Sequence, residues 1–248
     1  MNSIILAWWQ CSCKLPRSHP VTDIIVKVKG VLFDLDGTLI DTAPDLVQVL
    51  NQMLAIHSQP PVPYAIARNE VSNGALGLIK LGFGDTLSDI ELEKLRLEFL
   101  ACYVKNPCNK AKLFDGIEDL LKFLEKQNIK WGIVTNKPQA MTEPLLKSLG
   151  IFTRAGSVVS GDRLPERKPH PAPVLLGAKE LRVSSNFCVY IGDAPRDIEA
   201  GRAAGMATIA TSYGYIRAND NVKDWNATMI VRRPRGLKNA INHLNNNE

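Results

Sequence analysis

Five apolar runs of four to eight residues, at 26–33, 129–134, 157–160, 187–191 and 207–210, constrain the fold more than any other feature of this chain. The stretches 116–127, 139–149, 171–181 and 196–204 between them carry helical periodicity and begin near Pro, Asp or other capping types. Gly150 and Gly205 sit where a helix would end in a left-handed turn. Strand-sized runs alternating with helix-sized ones predict βα units, hence a mostly parallel sheet with helices on both faces. The expected class is therefore α/β, a Rossmann-like open parallel sheet.

One region breaks the alternation. From Asp45 to Lys112 no strand pattern occurs, only helical spacing. Leu46, Val49, Leu50 and Met53 share one helical face, and Leu92, Leu95, Leu97, Phe99 and Leu100 form a broader stripe. Pro60-Pro61-Val62-Pro63 separates helices within it. The predicted division is a core at 26–44 and 113–248, interrupted after the first strand by a helical insertion at 45–112. Residues 1–25 fit neither part. The apolar stretch 4–9 is too short to cross a membrane, and the elements of a signal peptide are missing. The expectation is a disordered tail, or upstream sequence from a misassigned start near Val26. A natural N-terminal peptide containing Trp8-Trp9, seen by mass spectrometry, would rule out the start-site idea.

Composition narrows the function classes. The net charge of +5 is modest, with basic residues spread along the chain. The tightest group, Arg232, Arg233, Arg235 and Lys238, is interrupted by Pro234 and fits a solvated surface better than a nucleic-acid patch. No membrane partner is expected. The five cysteines form no C-x-x-C pair and no Cys/His metal spacing. Cys188 lies in an apolar run and suits a core position. Nothing requires an oxidising compartment, so a cytoplasmic protein is expected, as monomer or homodimer.

In an open α/β sheet, ligands bind beyond the carboxyl ends of the strands. The polar residues that follow each apolar run are therefore the ones to collect. They are Asp34, Asp36, Gly37 and Thr38; then Thr135, Asn136 and Lys137; then Gly161, Asp162 and Arg167-Lys168-Pro169-His170-Pro171; then Gly192, Asp193 and Asp197. Carboxylates gathered together call for a hard cation, and Mg2+ takes oxygen from one or two carboxylates plus a substrate phosphate. Lysine and hydroxyl groups beside such an ion suit a phosphate ester. Asp36-Gly37 alone could be a turn. A calcium loop fails, because glycine stands fourth from Asp34 instead of sixth.

With these motifs in order, the chain resembles the haloacid dehalogenase superfamily phosphatases. Asp34-Leu35-Asp36-Gly37-Thr38 corresponds to the first motif, Thr135 to the second, Lys168 to the third, and Gly192-Asp193-Ala194-Pro195-Arg196-Asp197 to the fourth. The resemblance implies that the helical insertion is a C1-type cap. It implies Asp34 as the nucleophile that forms an aspartyl phosphate. Asp36 is the implied acid and base serving the leaving alcohol and then water. It further implies Mg2+ on Asp34, the backbone carbonyl of Asp36, and Asp193, with Asp197 as ligand or supporting partner. Thr135, Lys168 and amides near Asp36 and Asn136, those of Gly37 and Thr38 included, are implied to hold the phosphoryl oxygens.

Within the superfamily the chain resembles the phosphoglycolate phosphatase-like branch through Leu39-Ile40-Asp41-Thr42-Ala43-Pro44-Asp45 and Tyr213-Gly214-Tyr215-Ile216. It is still more similar to the N-acetylmuramic acid 6-phosphate phosphatases of cell-wall recycling. That similarity rests on Val71-Ser72-Asn73-Gly74-Ala75, Leu95-Arg96-Leu97-Glu98-Phe99-Leu100, Leu113-Phe114-Asp115-Gly116 and Trp131-Gly132-Ile133-Val134-Thr135-Asn136-Lys137-Pro138. The implied substrate is a small phosphorylated metabolite, with the sugar phosphate ahead of 2-phosphoglycolate. Arg68, Ser72, Asn73 and Lys80 are the candidates for recognising it. A phosphomutase should carry a second acid or base in the cap, a dehalogenase proper should lack Asp36, and a binding protein should have lost a motif residue. Asp41-Thr42-Ala43-Pro44 predicts a helix start, while His170, His57, His19, His243, Trp131 and Trp225 are expected in structural places.

Overall fold

The computed structural model describes residues 27–105 and 109–246. The expectations for residues 1–25, and for Cys11, Cys13, Cys108 and His19, concern residues outside this range. Strand β1, Gly30–Phe33, enters first. A two-residue strand β2, Ile40–Asp41, leads into four helices: α1 Ala43–Ile56, α2 Tyr64–Glu70, α3 Gly74–Phe83 and α4 Asp89–Lys105. The chain returns through β3, Lys112–Leu113, antiparallel to β2. It continues as α5 Ile117–Lys126, β4 Lys130–Val134, α6 Gln139–Ser148, β5 Val158–Val159 and α7 Ala172–Leu181. The last third holds β6 Cys188–Gly192, α8 Pro195–Ala203, β7 Ala207–Thr211, β8 Met229–Val231 and α9 Leu237–Asn246.

Six strands form one sheet in the order β5-β4-β1-β6-β7-β8, every pair parallel. The apolar runs are continuous because such a sheet is buried on both faces. Val31, Phe33, Ile133, Val189 and Ile191 join one layer with residues of α5, α6 and α9. Leu32, Val134 and Tyr190 point the other way, to Val174, Ala178 and Leu181 of α7 and Ala200 of α8. This is the α/β architecture expected. Helices α1 to α4 pack around a third cluster of their own, to which Met141 and Tyr215 also belong.

Pairing register positions the site. Phe33, the last residue of β1, lies opposite Ile133 of β4 and Ile191 of β6. The three central strands therefore stop at one level, and the residues just beyond them share one rim.

Several elements differ from expectation. β1 begins at Gly30 rather than near 26, and β5 keeps only two residues of 157–160. β8 does not stand out in sequence because it is three residues long at the sheet edge, with Ile230 exposed. Leu97 departs from the α4 stripe: Leu95 and Phe99 face inward, while Leu97 is 54% exposed.

Candidate active site

Asp34 follows β1 directly, its N–H bonded to Ile191 O at 2.8 Å. Thr135 follows β4, its N–H bonded to Val159 O at 2.9 Å. Asp193 follows β6, and Asp197 lies in the first turn of α8. Asp34, Asp193 and Asp197 are buried, and each offers a carboxylate oxygen within 4.8 Å of the others. Glycines make the crowding possible. A Cβ on Gly37, whose φ is +83°, would stand 2.1 Å from Asp193 Oδ2. A Cβ on Gly192 would stand 2.3 Å from Asp197 Cβ.

Lys168 is the cation inside this cluster. Its Nζ lies 2.8 Å from Asp34 Oδ1, 2.8 Å from Asp197 Oδ1, 2.8 Å from Tyr190 Oη and 2.9 Å from Val134 O. Burial alone would pull the ammonium down, but Asp197 and then Asp34 outweigh it and hold its pKa above the ordinary lysine value. The Arg196 guanidinium also faces the three carboxylates, and two cations still do not balance three buried acids. Burial first, then the charges of Asp34 and Asp197, push Asp193 well above the usual carboxylate range. Burial and Asp34 also raise Asp197, with Lys168 pulling back.

The remaining lone pairs indicate what would settle the imbalance. Asp197 is fully engaged, Oδ1 with Lys168 and Oδ2 with the N–H of Ala194 at 3.0 Å. Asp193 Oδ2 accepts from Tyr215 N at 2.8 Å, whereas its Oδ1 is buried with no partner among the described residues. A buried carboxylate oxygen without a donor is costly unless a cation meets it. Asp34 and Asp193, hard oxygen donors, thus fit a metal ion, with Asp197 close beside them.

Asp36 is placed differently. Its Oδ1 accepts from Thr42 Oγ1 at 2.5 Å and from Lys137 Nζ at 3.0 Å, and its side chain is 17% exposed, toward the cavity. Lys137 itself is buried, with Nζ 4.7 Å from the Tyr103 ring centre. Burial opposes its charge, but Asp36 raises it on balance. Thr135 Oγ1 accepts from Lys137 N at 3.1 Å, so its own O–H remains to donate elsewhere.

A cavity of about 340 Å³ opens over these groups. Asp34, Asp36, Thr135, Asn136 and Lys168 line its floor; Ser72 and Asn73 line it from the helical layer. The other anticipated residues have other places. Gly37 and Thr38 do not line the cavity: their N–H groups close the turn onto Ile40 O and Leu35 O. Thr38 Oγ1 is buried without a partner among the described residues. The Asn136 side chain clamps the Lys168 backbone, bonding its carbonyl at 2.9 Å and its N–H at 3.0 Å. Arg68 does not line the cavity; it donates to Gly214 O at 3.1 Å and lies over the Tyr215 ring. Lys80 is exposed outside it.

Lys137, Arg96, Arg167 and Arg196 also line the cavity, and sequence reasoning did not assign them. All four stand inside stretches already singled out, and that position was the available signal. Arg196 Nη2 donates to Ser72 O at 2.5 Å and to Ser72 Oγ at 3.1 Å, linking the core to the helical layer. Arg96 is already paired with Glu93 through two 2.6 Å bonds.

Residues 31–211 match the family described as haloacid dehalogenase-like hydrolase. The chain is 42% identical over 216 residues to an N-acetylmuramic acid 6-phosphate phosphatase of Pseudomonas aeruginosa, covering 87% of this chain and 96% of the relative. It is also 42% identical over 206 residues to a phosphoglycolate phosphatase of Xanthomonas campestris, covering 83% and 93%. Its fold superposes on a predicted phosphoglycolate phosphatase from Haemophilus somnus with TM-score 0.76 and 28% identity, covering 86% of this chain and 98% of that one.

Proposed function

Since this chain belongs to the haloacid dehalogenase-like hydrolase family and is a phosphoric monoester hydrolase, we propose that it cleaves N-acetylmuramic acid 6-phosphate through an aspartyl phosphate on Asp34, with Mg2+ held by Asp34 and Asp193. The cavity is the observation that carries the substrate choice. A volume of about 340 Å³ is within the ~300–1,000 Å³ of sites that enclose drug-sized ligands. A two-carbon acid would leave most of it to water. Leu46, Leu76, Leu100 and Met141 offer apolar surface to acetyl and lactyl methyl groups. Arg167 and Arg196 offer guanidinium groups to a lactyl carboxylate. The second reading, 2-phosphoglycolate, is favoured by the Xanthomonas relative.

In this reading α1 to α4 serve as the cap, and the work divides among the chain's own residues. Asp34 attacks phosphorus with its carboxylate, splitting one displacement into two easier ones. Lys168 orients Asp34 through the 2.8 Å contact and pairs with the oxygens that gain charge. Thr135 donates its free O–H to a phosphoryl oxygen. Asp36, steered by Lys137 and Thr42, gives a proton to the leaving alcohol and later takes one from water. Bound Mg2+ supplies positive charge that offsets the build-up on the phosphoryl group. Asp197 acts through Lys168, since both its oxygens are engaged.

The test is kcat/KM with Mg2+ for N-acetylmuramic acid 6-phosphate, 2-phosphoglycolate and p-nitrophenyl phosphate. The expected result is a preference of at least ~100-fold for the sugar phosphate, about 2.7 kcal/mol in transition-state binding. Equal values for the sugar phosphate and p-nitrophenyl phosphate would defeat the substrate assignment. Asp34→Asn should abolish turnover of all three.

A further inference from the structure

Tyr103, near the end of α4, is fully buried in the apolar cluster that the helical layer shares with Met141 of α6. Its hydroxyl makes no hydrogen bond among the described residues. What it offers its surroundings is therefore the ring, whose centre lies 4.7 Å from Lys137 Nζ. The face of a ring within ~6 Å attracts an ammonium, and more strongly where water is excluded.

Lys137 needs such a hold. Its main chain is fixed in the core, the N–H bonded to Thr135 Oγ1 at 3.1 Å and the carbonyl accepting from Gly161 N at 2.9 Å. The side chain beyond is a flexible four-carbon stem ending in a point charge. Among the described residues, Asp36 Oδ1 is the one hydrogen-bond acceptor of that ammonium, at 3.0 Å. One bond sets a distance but leaves the ammonium free to swing about the carboxylate. A second contact, with the ring, restricts that swing. Thr42 also donates to Oδ1, so Oδ2 is the oxygen of Asp36 left to exchange a proton.

We propose that Tyr103 is a positioning residue for the reaction: from the helical layer its ring fixes Lys137, and Lys137 in turn holds the Asp36 carboxylate toward the leaving group. Tyr103 does not line the cavity, so it acts through Lys137 and not on the substrate. This role rests on Asp36 being the acid and base.

Phenyl phosphate and p-nitrophenyl phosphate, two esters of nearly one shape, provide the test. Phenolate leaves poorly without a proton, whereas the nitro group stabilises the departing anion and makes the proton far less important. The ratio kcat/KM covers the first transfer to Asp34, in which that group departs. Tyr103→Met and Tyr103→Leu, two apolar replacements that pack differently, are checked for helix content by circular dichroism. Each should lower kcat/KM at least ~10-fold for phenyl phosphate and less than ~3-fold for p-nitrophenyl phosphate. Tyr103→Phe keeps the ring and should recover both to within ~3-fold of the unaltered chain. Lys137→Met should show the same leaving-group-dependent loss, and adding Tyr103→Leu to it should cost no more than ~2-fold further. Equal losses on both esters would mean that Tyr103 only packs, which overturns the proposal. So does a double variant whose loss is the product of the two single losses, or a Tyr103→Phe as impaired as Tyr103→Leu. Asp36→Asn separates the two readings. If it lowers both esters equally, the assignment of Asp36 fails and the role of Tyr103 with it. If it spares p-nitrophenyl phosphate while Tyr103→Leu does not, the role of Tyr103 alone falls.

Discussion

Asp193 illustrates how one residue can set stability against function. Its folded pKa is raised, chiefly by burial and then by Asp34 and Asp197, so the folded chain binds this proton more tightly than the unfolded one. The metal-free protein should therefore lose stability as pH rises from about 4, the unfolded carboxylate value, toward the raised folded value. Mg2+ at Asp193 should reverse that loss, so its effect on Tm should grow between pH 5 and 8. Asp193→Asn should raise the metal-free Tm near neutrality by about 2–4 °C, roughly 1 kcal/mol. The same change should abolish both the Mg2+ response and phosphatase activity. Thermal scans with and without EDTA decide this, and a wild-type Tm indifferent to Mg2+ at pH 8 would contradict it. Asp34 and Asp193 were legible in sequence because they stand at the ends of apolar runs, whereas Lys168 and Asp197 lie several residues beyond one and were picked out by motif spacing. Arg68 was misleading for a physical reason: a long side chain can reach core or cavity, and the partners that decide, Gly214 and Tyr215, are about 146 residues away in sequence.

At the scale of elements, the start of α1 is the joint between chemistry and cap. Thr42 occupies the N-cap position without capping, since its hydroxyl donates to Asp36 instead. Tyr215 fills the gap: its hydroxyl accepts from Thr42 N at 2.7 Å and Ala43 N at 2.9 Å and donates to Asp41 Oδ1 at 2.9 Å. Tyr215→Phe should leave those buried amides unsatisfied, at about 1–3 kcal/mol each. Hydrogen exchange of 42–46 should accelerate at least ~10-fold, and kcat/KM should fall because Asp36 shares the joint through Thr42. Unchanged protection there would show that water replaces the hydroxyl. Strand and helix identities in the core were readable from periodicity, since burial on both faces forces long apolar runs. β2, β3 and β8 were not, being two or three residues long and stabilised by neighbours distant in sequence. Nor could spacing alone assign the two faces of α4, because apolar residues occupy both.

Across the whole molecule, core and helical layer meet over the cavity, and a few polar links span the gap. Asp45 ties down the returning connection through the N–H groups of Asn109, Lys110 and Ala111, at 2.8–3.1 Å. Arg196 reaches across to Ser72. An enclosed site must open to admit a sugar phosphate and close to exclude water. Arg196→Ala should shift that balance toward the open form. We expect KM for the preferred ester to rise at least ~10-fold, with faster hydrogen exchange over 64–83 and little change in exchange of β1, β4 and β6. Equal acceleration in the sheet would mean that Arg196 supports global stability instead.

The helical layer leaves and rejoins the core through β2 and β3, which lie side by side with Ile40 opposite Leu113 and Asp41 opposite Lys112. Some seventy residues are thus spliced in at a point where entry and exit nearly touch, which makes the layer a cassette. A different set of helices with equally close ends could be grafted there without moving the strand ends that hold the carboxylates. Under the proposed function, the share of selectivity carried by Ser72, Asn73, Leu76 and Leu100 could then be exchanged while the carboxylates that cleave the ester are kept.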